Sequence, residues 1–312
     1  MNIYIEKNEL GNYIANQKEA VKKMLANINK DWVHSNTIKK ILTESLKELN
    51  NIYKEPYNNK IIKHERKIEK YLDWIEVYRL ANYHFSKYMS EGISYSEGLF
   101  STLLSLSSMY TNKRKIKSIG VIGCGPGRSV LDFSYAYPDA IVYGLDYSIV
   151  SLILAKNIIS TDKSNIEIIR RNYDNNPSGV IIEKIKGFNR KNCKWGLFDL
   201  TKSTLKKQFD IVVCSNVINL MPNHNKAIVK IYEMLKNGGY LIYADLTGWR
   251  LDRNSEQTLL CNQKTIKENF EKIGFETIEC FDGGPYIEQE NNSSFTFYKE
   301  SYYIGRKNVN NI

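Results

Sequence analysis

Through residues 9–29, 36–52, 60–90 and 93–110, apolar side chains recur at three- and four-residue spacing without two-residue alternation, which predicts helices. From about residue 117 the pattern changes. Short apolar runs at 118–122, 141–146, 194–200, 208–215 and 240–245 each end in glycine, an acid or a polar turn, and read as buried strands. Between the last two lies an amphipathic helix at 226–236, with Ala227, Ile228, Ile231, Met234 and Leu235 on one face and Asn237, Gly238 and Gly239 as its stop signal. A final hairpin is expected from 275–280 and 295–304. Residues 172–193, polar and containing Pro177 and Gly179, are more than a strand connection needs and read as an excursion with its own short helix. Alternation of strand and helix predicts an α/β domain over 117–306, with a mostly parallel sheet covered on both faces and one antiparallel strand from the hairpin.

The first strand stops in Gly123, Gly125 and Gly127, interleaved with Cys124 and Pro126. Three glycines between a strand and a helix turn the backbone tightly, bring it close to a ligand and leave bare amides at a helix N-terminus. The second run ends in Asp146, 19 positions past Gly127, the distance at which a nucleotide-binding βαβ unit presents a carboxylate to ribose hydroxyls. Together they imply an adenosine-containing cofactor. A dinucleotide loop would need a glycine where Arg128 stands, and no Lys-Ser/Thr follows to make a phosphate loop. S-adenosylmethionine carries no phosphate and asks only for close backbone approach.

Five motifs in register (glycine loop, strand ending in Asp146, strand ending in Asp199, strand followed by Ser215 and Asn216, and a Gly-Gly before the fifth strand) resemble the class I S-adenosylmethionine-dependent methyltransferases. The resemblance covers about 117–306 and implies a Rossmann-like, seven-stranded sheet. It implies that Gly123, Gly125 and Gly127 shape the loop under the methionine part, that Asp146 accepts from the ribose with Tyr147 beside the adenine, and that Asp199 and the Leu200 amide meet the adenine edge. Ser215 and Asn216 would face the transferred methyl and the acceptor. A helix N-cap is the lesser alternative for Asp146 and, more so, for Asp199, while Asn216 reads equally as a turn residue. The acid most members carry two residues before the first glycine is here Val121. Its absence, the Arg128 after the glycines and the tail at 294–307 are distantly similar to the carnosine N-methyltransferase-like enzymes, although the Tyr-His pair those enzymes carry after the fifth strand has no counterpart at Gly248, Trp249, Arg250 and Leu251.

Methyl transfer needs an aligned nucleophile and a group to take its proton. Asp245 at the end of the fifth strand and Tyr298 on the last strand pair are the candidates. The expected organisation is a helical extension or lid at 1–115 and a methyltransferase domain at 116–308. Tyr83, His84 and Tyr88 of the extension are candidate substrate contacts. The turn Ser215, Asn216, Val217, Ile218 is not the Asp/Asn-Pro-Pro-Tyr turn of enzymes that methylate bases.

Composition bounds the rest. The 312 residues carry a net charge of +10, with 20 Lys+Arg against 13 Asp+Glu in 1–117. The excess comes as scattered pairs beside acids rather than as one basic stripe with interleaved aromatics. That sets nucleic acid lower, and because the helical extension is long enough to cover the cleft, a small-molecule or short-peptide acceptor is expected. An RNA (tRNA) methyltransferase using the basic extension, a non-catalytic S-adenosylmethionine-binding module and a dehydrogenase-like Rossmann protein stay as alternatives. Five cysteines without a C-x-x-C pair, scattered histidines and no leader or apolar span point to free thiols, no metal site, no membrane partner and a cytoplasmic location.

Overall fold

The computed structural model describes residues 2–3, 7–28, 35–52, 77, 80–88, 96–111, 115–171, 180–203, 205, 208–221, 223–246, 260, 262–291 and 294–308. A two-residue strand β1 (Asn2–Ile3) precedes helices α1 (Lys7–Ala26) and α2 (Ser35–Ile52). Helical residues at 80–85, a 3-10 turn at Ser86–Tyr88 and α3 (Glu97–Thr111) lead into the sheet. Next come β2 (Ser118–Ile122), α4 (Arg128–Ala136), β3 (Ile141–Asp146) and α5 (Ile149–Ser160). A hairpin of β4 (Ile166–Arg171) and β5 (Val180–Ile185) is followed by β6 (Cys193–Leu197), β7 (Phe209–Ser215) and α6 (His224–Met234). The chain closes with β8 (Leu235–Leu246), α7 (Gln263–Ile273), β9 (Phe275–Asn291) and β10 (Ser294–Lys307).

Eight strands make the main sheet in the order β1-β6-β3-β2-β7-β8-β10-β9. Pairing is parallel from β1 to β8, and β10 runs antiparallel to both β8 and β9. Its parallel strands are apolar on both sides because both faces are covered. Successive residues alternate between the two cores. Ile211, Val213, Ile242 and Ala244 join the layer holding α3, α4 and α5, whereas Val212, Cys214, Leu241 and Tyr243 join the layer holding α6 and α7. Helix α5 is buried almost all round and starts on Ser148, whose hydroxyl accepts from the Ser151 amide at 3.1 Å. A capping box between Asn262 and Thr265 starts α7, and Gly274, at φ +114°, ends it.

The α/β architecture, the parallel core and the single antiparallel strand agree with the pattern of the sequence. Four details differ. The sheet has eight strands rather than seven, because β1 adds in parallel to the edge strand β6. The excursion at 172–193 carries no helix among its described residues: 180–185 form β5, antiparallel to β4, in a separate two-stranded sheet. The helix of 226–236 starts and ends earlier, at 224 and 234, since Leu235 already pairs with Phe209 and the Gly238-Gly239 stretch lies in β8 beside a register shift. The closing hairpin is longer than expected, running 275–291 and 294–307. Most of the expected 60–90 helix, with Tyr78, and residues 248–251 lie outside the described residues.

Candidate cofactor cleft

The turn from β2 into α4 is built of left-handed backbone. Gly123, Gly125 and Gly127 have φ of +60°, +52° and +97°, a region that only glycine enters freely. At Gly123 space is closed as well, because an added Cβ would come within 2.2 Å of Val217 Cγ2. Gly125 differs. Its nearest would-be neighbours are Leu80 Cδ2 at 3.4 Å and His84 Cε1 at 3.7 Å, both from the N-terminal extension. The loop thus packs tightly at its two ends and opens at its middle toward a cover supplied by residues 80–84.

Asp146, at the end of β3, reaches across to this loop. Its Oδ2 accepts the Gly125 N–H at 2.7 Å and its Oδ1 accepts the Ser148 N–H at 2.7 Å. Burial pushes its carboxyl above the ordinary carboxylate range, and the amides of Ser148, Gly125 and Tyr147 pull it back. An ionised carboxylate offers about four acceptor sites, so the three amides leave about one for a ribose hydroxyl. Tyr147, next in sequence, is part-exposed. Val121 is buried in the sheet, so β2 carries no acid there.

Past β6, Asp199 Oδ1 accepts from the Thr201 N–H at 2.9 Å and the Thr201 hydroxyl at 2.7 Å, while the Asp199 N–H donates to Ser203 Oγ. Asp199 thus closes a short turn rather than capping a helix, since no helix starts at 200–203, and Leu200 is buried beside it. Ser215, the last residue of β7, is half-buried, and Asn216 is one of two non-glycine residues at positive φ among the described residues, +54°, with its N–H on Ala244 O at 2.9 Å. Asp245 is fully buried and already engaged. Its Oδ1 accepts Asn219 Nδ2 at 2.8 Å and the Leu246 N–H at 2.9 Å, and its Oδ2 accepts the Asn219 N–H at 3.2 Å. Burial raises its carboxyl to about 7. Alternation puts it with Tyr243, toward α6 and α7 and away from the cover.

The cover is fastened by Arg128, the first residue of α4. Its side chain is 2% exposed, Nη1 donates to His84 O at 2.8 Å and pairs with Glu97 Oε1 at 2.5 Å, and Nε meets both oxygens of Asp132. The guanidinium also lies over the rings of Phe100 and Tyr88, at 5.1 and 5.4 Å. His84 stands over Gly125, edge-on to Phe100; burial and the Arg128 charge push its imidazole down to about 3, so it is neutral at pH 7. Of the three candidate contacts in the extension, Tyr83 faces Tyr286 at 5.4 Å, and Tyr286 faces Tyr298 at 6.1 Å, making one aromatic row. Tyr88 instead packs edge-on to Phe188, on the far side of Arg128.

Three carboxylates carry little signal of their role in the sequence. Glu97 and Asp132 hold Arg128, but nothing in the spacing links them to it except the i,i+4 step from 128 to 132. Glu300 lies in β10 amid residues that resemble an exposed strand, yet it is 1% exposed. The signal that could have found it is Gly283-Gly284 inside a strand pattern, which marks a bulge.

The methyltransferase-domain family model matches residues 121–296. No curated protein matches the chain. Among solved structures, a putative methyltransferase of Haloferax volcanii in complex with the Trm112 methyltransferase activator aligns over 77% of this chain and 96% of that one, with 10% identity and a TM-score of 0.51. The N-methyltransferase NodS of Bradyrhizobium japonicum WM9, in complex with S-adenosyl-L-homocysteine, covers 68% and 87% at 14% identity and TM-score 0.46. TehB of Haemophilus influenzae covers 72% and 66% at 15% and 0.46.

Proposed function

The chain belongs to the methyltransferase-domain family, and on that premise we propose that it moves a methyl group to a nitrogen or oxygen of a small molecule or short peptide. It is an S-adenosylmethionine-dependent methyltransferase. Bound in the cleft, S-adenosylmethionine supplies a methyl carbon on a sulfonium, with a neutral thioether as leaving group. What the chain itself must do is align the acceptor and exclude water, and alignment contributes on the order of 7–11 kcal/mol.

The residues fit this cofactor. At Gly125 an added Cβ would meet only Leu80 and His84, at van der Waals distance, so the methionine part would lie between the loop and that cover, and Asp146 would offer its remaining acceptor site to the ribose. Tyr147 would flank the adenine, with Asp199 and the Leu200 amide at its edge. Gly123 and Gly127 would hold the loop in place, and Ser215 and Asn216 would border the transferred methyl. Asp245, whose carboxylate already ties Asn219 and Leu246, would fix the turn after β7 rather than take a proton. Tyr83, Tyr286 and Tyr298 would line the acceptor's approach.

One observation carries the choice of a small acceptor: Leu80 and His84 stand over the glycine loop, latched there by Arg128. A cover of this kind engulfs its acceptor and keeps water from the sulfonium, which an open macromolecular face does less well. The test incubates the full chain with methyl-labelled S-adenosylmethionine, offering either the low-molecular-weight fraction of a cell extract or bulk tRNA. Label in the small-molecule fraction is expected. Label in tRNA, with a steep salt dependence, would overturn the reading.

A further inference from the structure

Glu300 and Asn216 meet at the carboxyl ends of the strands, where ligands of open α/β sheets bind. In β10, Glu300 is level with Leu246, the last residue of β8, and Asn216 follows β7 directly. Asn216 is followed by Val217, the side chain against which Gly123 is packed, so it borders the glycine loop. On the other edge of β10 the register slips. Lys299 pairs with Pro285 and Ser301 with Asp282, so Gly283 and Gly284 together oppose the single residue Glu300. Such bulges re-aim side chains and cluster next to active sites. An added Cβ on Gly283 would come within 2.0 Å of the Tyr302 ring, so only glycine lets that ring lie flat here.

The bulge leaves Glu300 half-satisfied. The Tyr302 hydroxyl donates to Glu300 Oε2 at 2.6 Å, but Glu300 Oε1 and Asn216 Oδ1 are buried and accept no hydrogen bond. The Asn216 side chain is close enough to Glu300 to lower its proton affinity, and the two unpaired acceptors of this neighbouring pair are costly unless a donor arrives. Alternation puts Glu300 with Tyr302 and Ile304 in the layer of α3, the cover side, opposite to Asp245.

We propose that Glu300 Oε1 and Asn216 Oδ1 form the seat of the methyl acceptor, and that this acceptor is a primary or secondary amine arriving as its ammonium ion. This rests on the methyltransferase reading and narrows it. A hydroxyl carries one hydrogen and would satisfy one of the two acceptors; an ammonium satisfies both. A cation also offsets the negative charge of Glu300 and of Asp245 nearby. Burial and the Asp245 charge raise Glu300 to about 7, against the pull of Tyr302 and Asn216, so its carboxylate can accept a proton near neutrality. The step balances: Glu300 takes one N–H proton, and the freed nitrogen lone pair attacks the methyl carbon. As the C–N bond forms the C–S bond breaks, sulfur keeps its electron pair, and the positive charge passes to the N-methylammonium product. Glu300 then loses its proton to solvent.

The experiment uses the full chain saturated with S-adenosylhomocysteine, with benzylamine as probe and benzyl alcohol as its neutral counterpart, read by calorimetry. Benzylamine should bind the parent, and about tenfold or more weakly to E300Q, which keeps shape but loses the charge. N216G, which removes the amide and suits the left-handed backbone, should weaken it as well. Benzyl alcohol should bind all three alike and weakly. Equal benzylamine affinity for parent and both variants, no benzylamine binding to the parent, or alcohol binding as tightly as amine would overturn the seat. A parent that does not bind S-adenosylhomocysteine would overturn the methyltransferase reading itself, a separate and visible outcome.

Discussion

Replacing Arg128 with methionine removes the latch while keeping an unbranched side chain of similar reach. In the parent, the guanidinium is buried against Asp132, Glu97, the His84 carbonyl and two aromatic rings. Breaking a buried pair costs about 3–5 kcal/mol because the partner charge stays buried and alone. Asp132, 13% exposed, fits that description. Glu97 does not, since it is 31% exposed and keeps Lys87 at 2.9 Å. The lower end, about 3 kcal/mol, is therefore expected in urea unfolding of the full chain.

The sign of its pH dependence follows from Asp132. Burial already holds that carboxyl above the ordinary range against the attraction of Arg128. Without the guanidinium it rises further. An acid raised in the folded state binds its proton more tightly there than in the unfolded chain. Its penalty is therefore absent below the unfolded value, near pH 4, and complete above the folded one. The deficit of R128M should be larger at about pH 8 than at about pH 5. Amide hydrogens of 80–88 should also exchange faster, because the segment loses its anchor. A variant within about 0.5 kcal/mol of the parent at both pH values, with unchanged exchange at 80–88, refutes the latch.

Two further substitutions probe the loop. D146A should weaken S-adenosylmethionine binding by about 1.5–3 kcal/mol in calorimetry and lower stability too, since the Gly125 and Ser148 amides lose their acceptor; parent-like affinity would remove Asp146 from the site. G123A should cost about 2 kcal/mol or more in urea unfolding, from left-handed strain plus the clash with Val217, whereas G98A, at a helical site with nothing within 4 Å, should be neutral or stabilising by up to about 1 kcal/mol. Equal effects of the two alanines would show that the packing at Gly123 does not matter.

The parallel core was legible because strands buried on both faces are written as unbroken apolar runs, and because their ends carry glycine or an acid. Asp146 and the loop were legible for the same reason: spacing along one βαβ unit is local. The hairpin of β4 and β5 was not, since Val180, Ile181, Ile182 and Ile185 stand among charged residues after Pro177 and Gly179, which read as breakers. Gly283, Gly284 and Pro285 misled likewise, because β9 runs straight through them as a bulge. Glu300 and the latch depend on contacts across the chain: His84 is 44 positions from Arg128, and no local pattern records that.

Arg128 poses an electrostatic question that the latch itself resolves. A cation at the start of α4 stands at the positive end of a helix, beside a loop meant for a ligand that carries both an ammonium and a sulfonium. Two positive centres facing a buried guanidinium would be repelled. However, the cluster holds Arg128 and Lys87 against Asp132 and Glu97, two cations against two anions, with every member in contact. Its net charge is zero, so its field falls off quickly toward the loop. Neutral His84, uncharged at pH 7 through burial and the same Arg128, is the cluster's face toward Gly125. The cover is therefore held by strong charges and yet shows the cofactor an uncharged surface, which leaves the Asp146 carboxylate as the charged group meeting the loop.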